Sequence, residues 1–222
     1  MSEVADNIRK FRALMPEGVE LIAVSKFHPA SMILEAYEAG QRNFGESRVQ
    51  EFLRKAEELP SEIRWHFIGH LQTNKVRSVI GKTHLIESVD SPRLLELIDR
   101  ESEKAGVVSD VLLQVHVAAE EAKFGFFPDE LKSFIRSGAL GRLKATRVCG
   151  LMGMATNTDD ADRIRRDFGT LHSLFEEIKK EYGHMLPRFR HLSMGMSGDW
   201  PIAVEEGADM VRIGSAIFGE RV

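Results

Sequence analysis

The sequence predicts an α/β fold, a closed (βα)8 TIM barrel preceded by one extra helix, and three observations carry that prediction. Short apolar runs alternate with stretches of helical periodicity about eight times along the 222 residues, the pattern of a parallel sheet covered by helices. Eight such units close on themselves more naturally than they form an open sheet, although the chain is somewhat shorter than the roughly 250 residues typical of that fold. The turn after the first apolar run, Ser25-Lys26-Phe27-His28-Pro29, also lacks the Gly-rich fingerprint that a doubly wound open sheet would place there. With no internal repeat, low-complexity stretch or linker, residues 1–222 read as a single domain, and 43% hydrophobic residues suffice for one sizeable core.

Taken in order, Val4, Ile8, Phe11 and Met15 recur at helical spacing, and Pro16 and Gly18 stop that first helix. Val19 to Val24 is the first strand. A helix follows Pro29 through Ile33, Leu34 and Tyr37 and ends at Gly40. Arg42-Asn43-Phe44 is a short second strand, and its helix carries Val49, Phe52, Leu53 and Ala56 before Pro60. Arg64 to Ile68 is the third strand, leading through a polar loop to a helix that Thr73 is placed to cap and Gly81 to end. His84 to Val89 is the fourth strand, and its helix opens with Ser91 as cap and Pro92 in the first turn, closing at Gly106. Asp110 to Val117 is the fifth strand, and the helix after Pro128 buries Leu131, Phe134 and Ile135. Thr146 to Met154 is the sixth strand, followed by the longest helix, from Ile164 to Tyr182. Arg190 to Met194 is the seventh. Asp199 is placed to cap a short helix, and Met210 to Ile213 is the eighth strand.

The totals exclude several function classes. A net charge of −4 argues against a nucleic-acid footprint, which needs a basic stripe. Arg163, Arg165 and Arg166 are interleaved with Asp159, Asp160, Asp162 and Asp167, the pattern of a solvated helix face. A single cysteine, Cys149, rules out an intrachain disulfide, and its apolar setting reads as core. The N-terminus lacks the apolar run of a signal peptide and no stretch is long enough to span a bilayer, so the expectation is a cytoplasmic protein with no membrane partner.

The chemistry gathers where strands end, because sites in such barrels lie at the strand-to-helix loops. Ile22, Val24 and Lys26 share one strand face, so an ammonium closes an apolar row. Desolvation favours the neutral amine, which is a nucleophile towards aldehydes; the plainer alternative is a strand end meeting water. Closure sets the eighth strand beside the first, bringing Arg212 near Lys26 if it points inward rather than out to a surface partner. The turns after strands seven and eight are rich in Gly and Ser, as in a phosphate cup, with Ser193, Gly214 and Ser215 as donors. An amine beside an anion cup suits either a phosphorylated aldehyde or ketone, as in Schiff-base aldolases, or pyridoxal 5'-phosphate. Arginine rather than carboxylate facing a pyridine nitrogen would make that cofactor a weaker electron sink.

Six segments strengthen the second choice. Ala23-Val24-Ser25-Lys26, Asn43-Phe44-Gly45-Glu46, Trp65 to Gln72 with Asn74-Lys75, Gly150-Leu151-Met152, Leu192 to Ser197 and Met210 to Gly219 together resemble the pyridoxal phosphate homeostasis protein family. Its members are single-domain barrels like the alanine racemase N-terminal domain. The resemblance implies that Lys26 holds the cofactor as an internal aldimine and Arg212 faces the ring nitrogen. It further implies that Ser193, Gly214 and Ser215 grip the phosphate, while Asn43, His66 and Met152 line the ring pocket. Ser47-Arg48, where the family commonly has Asn-Tyr, and Val115-His116-Val117, where an Asn is usual, depart from the pattern.

The implied role is to bind pyridoxal phosphate and buffer it or hand it to apo-enzymes that use it, so influencing vitamin B6 and amino-acid balance. No catalytic residue is assigned. A racemase of this ancestry needs a second base, usually a tyrosine from a C-terminal domain that also forms the dimer. The chain ends at Val222, and Tyr37 and Tyr182 sit at core-like helical spacings, so a monomer without robust activity is expected and low-activity racemisation is the alternative. Metal binding is not expected, since His66 and His70 on a strand and its loop do not converge as two histidines on a helix do.

Overall fold

The computed structural model describes residues 2–120 and 124–220. Its eight strands form one closed parallel barrel in sequence order. Helix α1 (Glu3–Leu14) precedes β1 (Glu20–Val24); α2 (Ala30–Glu38), β2 (Asn43–Glu46), α3 (Val49–Glu58) and β3 (Arg64–Phe67) follow. Then come α4 (Val76–Val79), β4 (Leu85–Val89), α5 (Pro92–Ala105), β5 (Ser109–His116), α6 (Pro128–Arg136) and β6 (Thr146–Met154). The circuit closes through α7 (Ala161–Tyr182), β7 (His191–Ser193), α8 (Trp200–Glu205), β8 (Met210–Ile213) and the single turn α9 (Ser215–Phe218). The closing pair is β1 with β8, in the register Ile22↔Arg212.

Side-chain alternation divides the core into two layers. Ile22, Leu85, Leu112, Cys149, Met152 and Met210 pack together inside the barrel. Their chain neighbours Leu21, Ala23, Ile86, Val111, Leu113, Leu151 and Val211 belong to the larger layer between strands and helices. A bulge sets Cys149 inward: Val111 pairs Val148 whereas Leu112 pairs Gly150, leaving one residue extra on β6. Gly150 is required there, since it sits at φ 153° and a Cβ would fall 1.8 Å from the His191 carbonyl oxygen. Burial pushes the Cys149 thiol up to about 11. The folded protein is therefore expected to resist alkylation by iodoacetamide at pH 8 and to react fully once unfolded in guanidinium; rapid labelling of the native state would contradict this burial.

The sequence-level caps hold in part. Ser91 accepts from the Leu94 amide, Pro92 opens α5 and Gly106 closes it at φ 67°, a combination in which the cap alone contributes about 1 kcal/mol. Thr73 instead begins a 3-10 turn, Thr73–Lys75, ahead of α4 and makes no side-chain cap bond. Asp199 stands at the cap position of α8, but its carboxylate turns back to accept from the Met196 amide at 2.5 Å. That bond fixes the turn after β7, where the site is built.

Candidate functional site

A hollow of about 290 Å³ opens at the C-terminal mouth of the barrel, and both Lys26 and Arg212 line it. Arg212 therefore points inward, as closure of the barrel allows. Val24, Ile68, Met152, Met154 and Met196 line it as well, so most of the wall is apolar and much of it polarizable. Gly214 and Ser215 lie at one end with Ser197. The Gly214 amide and the Ser215 hydroxyl each meet the Ser197 hydroxyl only at 3.4 Å, so these donors hold one another weakly and remain available to an anion. A Cβ on Gly214 would stand 3.2 Å from the Val24 carbonyl oxygen, a contact that β1 and the turn could accept only by shifting a few tenths of an ångström.

The backbone that carries Lys26 is clamped on both sides. Ser25 is fully buried, and its hydroxyl donates to Glu46 at 2.7 Å while its carbonyl accepts from the Lys55 ammonium at 2.8 Å. Lys55 also pairs with Glu46 and Glu51, each at 2.7 Å. Glu51 in turn accepts the Phe27 amide at 2.6 Å. Phe27 occupies φ 70°, a conformation that is uphill for a residue with a Cβ and persists because its surroundings fix it. The Arg48 guanidinium lies 4.6 Å from the centre of the Phe27 ring, and His28 stacks on Phe218. Burial pushes the Glu46 carboxyl up, and the charge and hydrogen bond of Lys55 only partly oppose this.

Beneath the hollow a second buried network runs across the barrel. Arg212 donates to the Gly153 carbonyl at 2.8 Å and to the Ser193 hydroxyl at 2.5 Å. Ser193 donates to Glu87 at 2.6 Å, and the other oxygen of Glu87 meets His66 Nδ1 at 2.7 Å. Burial pulls the Arg212 guanidinium down, opposed by the charges of Glu87 and Asp199.

The geometry thus gathers Lys26, Met152, Arg212, Gly214 and Ser215, and separates three other expected residues from them. Asn43 is the first residue of β2, so strand polarity puts it at the opposite, N-terminal mouth, where it donates to Glu20 at 3.3 Å and borders a hollow with Arg12 and Gly40. It does not line the hollow that holds Lys26 and Arg212. Ser193 is fully buried and its only proton is spent on Glu87, so its hydroxyl does not face the anion cup. His66 is likewise buried, held by Glu87. Ser197 lines the hollow where Ser193 does not, because the Gly195-Met196-Ser197-Gly198 turn carries it beyond the strand end, farther towards the mouth than a hydroxyl within the strand.

A larger hollow of about 460 Å³ adjoins this one and shares Met154, Met196 and Gly198 with it, but holds neither Lys26 nor Arg212. Among the described residues no group of three His, Cys, Asp or Glu side chains is placed to hold a metal ion, and no helix is long and apolar enough to cross a membrane.

Comparison with known proteins gives a consistent result. The family model described as alanine racemase, N-terminal domain, matches residues 1–222. A pyridoxal phosphate homeostasis protein of Aquifex aeolicus is 41% identical over 225 aligned residues, covering 100% of this chain and 96% of that one. The Homo sapiens protein of the same name is 39% identical over 98% of this chain and 81% of its own length. Among solved structures, PipY of Synechococcus elongatus with PLP bound superposes with a TM-score of 0.88 at 38% identity, covering 97% of this chain and all of that one. An alanine racemase of Clostridium difficile superposes at 0.76 with 14% identity over 98% of this chain and 56% of its own, a likeness of fold alone.

Proposed function

Because the chain belongs to the alanine racemase N-terminal domain family, and within it to the pyridoxal phosphate homeostasis proteins, we propose that it binds pyridoxal 5'-phosphate at the C-terminal mouth of its barrel and acts as a keeper of that cofactor. The observation that carries this reading is the convergence of one amine, one guanidinium and a set of weakly engaged anion donors on a single apolar-walled hollow. The parts fit the group. Lys26 supplies the amine for an aldimine with the cofactor's aldehyde. Ser197, Gly214 and Ser215 bind the phosphate, a role that passes from Ser193 to Ser197. The thioether of Met152 packs against the ring. Arg212 uses two of its five N–H groups on Ser193 and Gly153, and another donates to the ring nitrogen.

Bound pyridoxal phosphate supplies an electrophilic carbon and an electron-withdrawing ring. A guanidinium, which only donates, leaves the ring nitrogen unprotonated and blunts that withdrawal, which suits storage better than carbanion chemistry. The racemase alternative gains nothing from the tyrosines. Tyr37 lies under the Arg42 guanidinium and Tyr182 donates to Glu181, both on the helical shell. In this reading the whole chain is one cofactor-binding domain, a cytoplasmic monomer, and the amines that receive its cofactor belong to apo-enzymes.

The test is chemical. Protein soaked with pyridoxal phosphate should gain a visible absorption band, and borohydride should fix one phosphopyridoxyl group per chain on the peptide containing Lys26. A protein that stays colourless, or one that traps a sugar phosphate instead, would overturn the proposal.

A further inference from the structure

We propose that Glu87 is a positioning residue for Arg212: a buried carboxylate that, acting through the Ser193 hydroxyl, fixes the guanidinium in the wall of the hollow and balances its charge. The inference deepens the cofactor-binding reading, on which its second measurement rests.

The direction of each hydrogen bond follows from the donors available. A guanidinium only donates, so Ser193 accepts from Arg212; a serine has one proton, and it goes to Glu87. The carboxylate accepts at both oxygens, from Ser193 on one and from a ring N–H of His66 on the other. Arg212 is thus pinned at two points, the Gly153 carbonyl and a serine whose own orientation is set by an anion. The Glu87 carboxylate lies 3.8 Å from the guanidinium, and neither side chain is more than 4% exposed. An isolated charge at that depth is strongly disfavoured, so each ion holds the other in its charged form. Burial by itself would push the Glu87 carboxyl up, yet the hydrogen bond and charge of His66 and the charge of Arg212 bring it below its ordinary value. His66 marks the end of the network, since its buried Nε2 has no hydrogen-bond partner among the described residues. Glu87 itself touches neither the hollow nor anything that binds there; its influence reaches the ligand only through Arg212.

Two variants separate this role from mere packing. Glu87→Gln removes the charge with the shape retained, and Ser193→Ala removes the link with the charge retained. The first measurement needs no cofactor: exchange of the Arg212 guanidinium protons with water, followed by NMR in the apo-protein. Loss of one hydrogen bond to a charged group corresponds to about a tenfold change, so exchange should accelerate by at least about that factor in both variants. The second is dialysis of pyridoxal phosphate from the loaded protein, where release should quicken about tenfold and the visible band should shift in position. A purely structural role would lower the melting temperature while leaving guanidinium exchange and band position as in the parent. That outcome overturns the proposal. If Glu87→Gln does not fold, Ser193→Ala decides on its own. Should the parent fail to bind the cofactor, the reading of the site falls, while the exchange measurement still judges Glu87.

Discussion

Replacing Lys55 by methionine is expected to destabilise the fold by roughly 3–5 kcal/mol at neutral pH, because it removes one partner of a buried ion pair and leaves a carboxylate unpaired. Lys55 and Glu46 are both fully buried, so neither water nor salt screens the loss. The sign of the pH dependence makes this more than a generic core mutation. Glu46 already sits above its ordinary value because of burial. A raised carboxyl favours the fold below its unfolded value, and that contribution is lost as pH rises through the folded value. Removing Lys55, which opposes the shift, moves Glu46 further up. The deficit of Lys55→Met relative to the parent should therefore be greatest at neutral pH and shrink as the solution is acidified and Glu46 takes up a proton. Denaturant melts between pH 8 and pH 5 measure this, and the double variant Lys55→Met, Glu46→Gln should recover part of the loss at pH 7. A deficit that is the same at every pH would mean that packing of the lysine stem, not the pair, carries the stability. Local consequences follow too, since Lys55 and Glu51 hold the carbonyl of Ser25 and the amide of Phe27.

That clamp was not legible in the sequence, and the reason is instructive. Glu51 and Lys55 are four apart on a helix, which reads as an ordinary surface pair. The distinguishing signal is that Lys55 falls on the stripe of Val49 and Phe52, so the helix presents an ammonium with its apolar face. Glu87 carries a similar mark, a carboxylate inside the fully buried strand Leu85 to Val89. In a strand buried on both faces such a charge needs a partner, but nothing local says where the partner is. Period-2 alternation put Ile22 and Lys26 on one strand face but left Arg212 open between an inward and an outward course; in the closed barrel Arg212 lines the same hollow as Lys26. Alternation does not fix depth along the barrel axis. Ser193, expected as a donor of the turn after strand seven, lies within that strand, and Asn43, a residue implied only by the family resemblance, begins its strand at the far mouth. The fold followed from the alternation of elements, and the helix expected between Thr73 and Gly81 is present but shorter, a 3-10 turn over Thr73–Lys75 leading into a single turn of α-helix, because so short and polar a segment carries little periodicity to mark its bounds.

Lys26→Ala should abolish covalent capture of pyridoxal phosphate and loosen its retention by at least about 100-fold, close to 2.7 kcal/mol. The argument rests on which contacts the substitution spares. The Ser25 hydroxyl and carbonyl and the Phe27 amide keep their partners, so the turn should retain its shape. The anion cup and Arg212 also survive, which predicts residual, rapidly reversible binding with the spectrum of a free aldehyde. Lys26→Arg sharpens the test. It restores positive charge at the same place, but a guanidinium stays protonated at accessible pH and does not attack a carbonyl. If charge alone held the cofactor, arginine would recover much of the affinity; if the amine's nucleophilicity matters, arginine should be as colourless as alanine. Lys55 is no substitute, since its ammonium is buried and engaged by Ser25, Glu46 and Glu51 together. A Lys26→Ala protein that kept both colour and affinity would move the carbonyl chemistry to an amine outside this hollow. The apolar walls and the cup would then need another ligand to account for them.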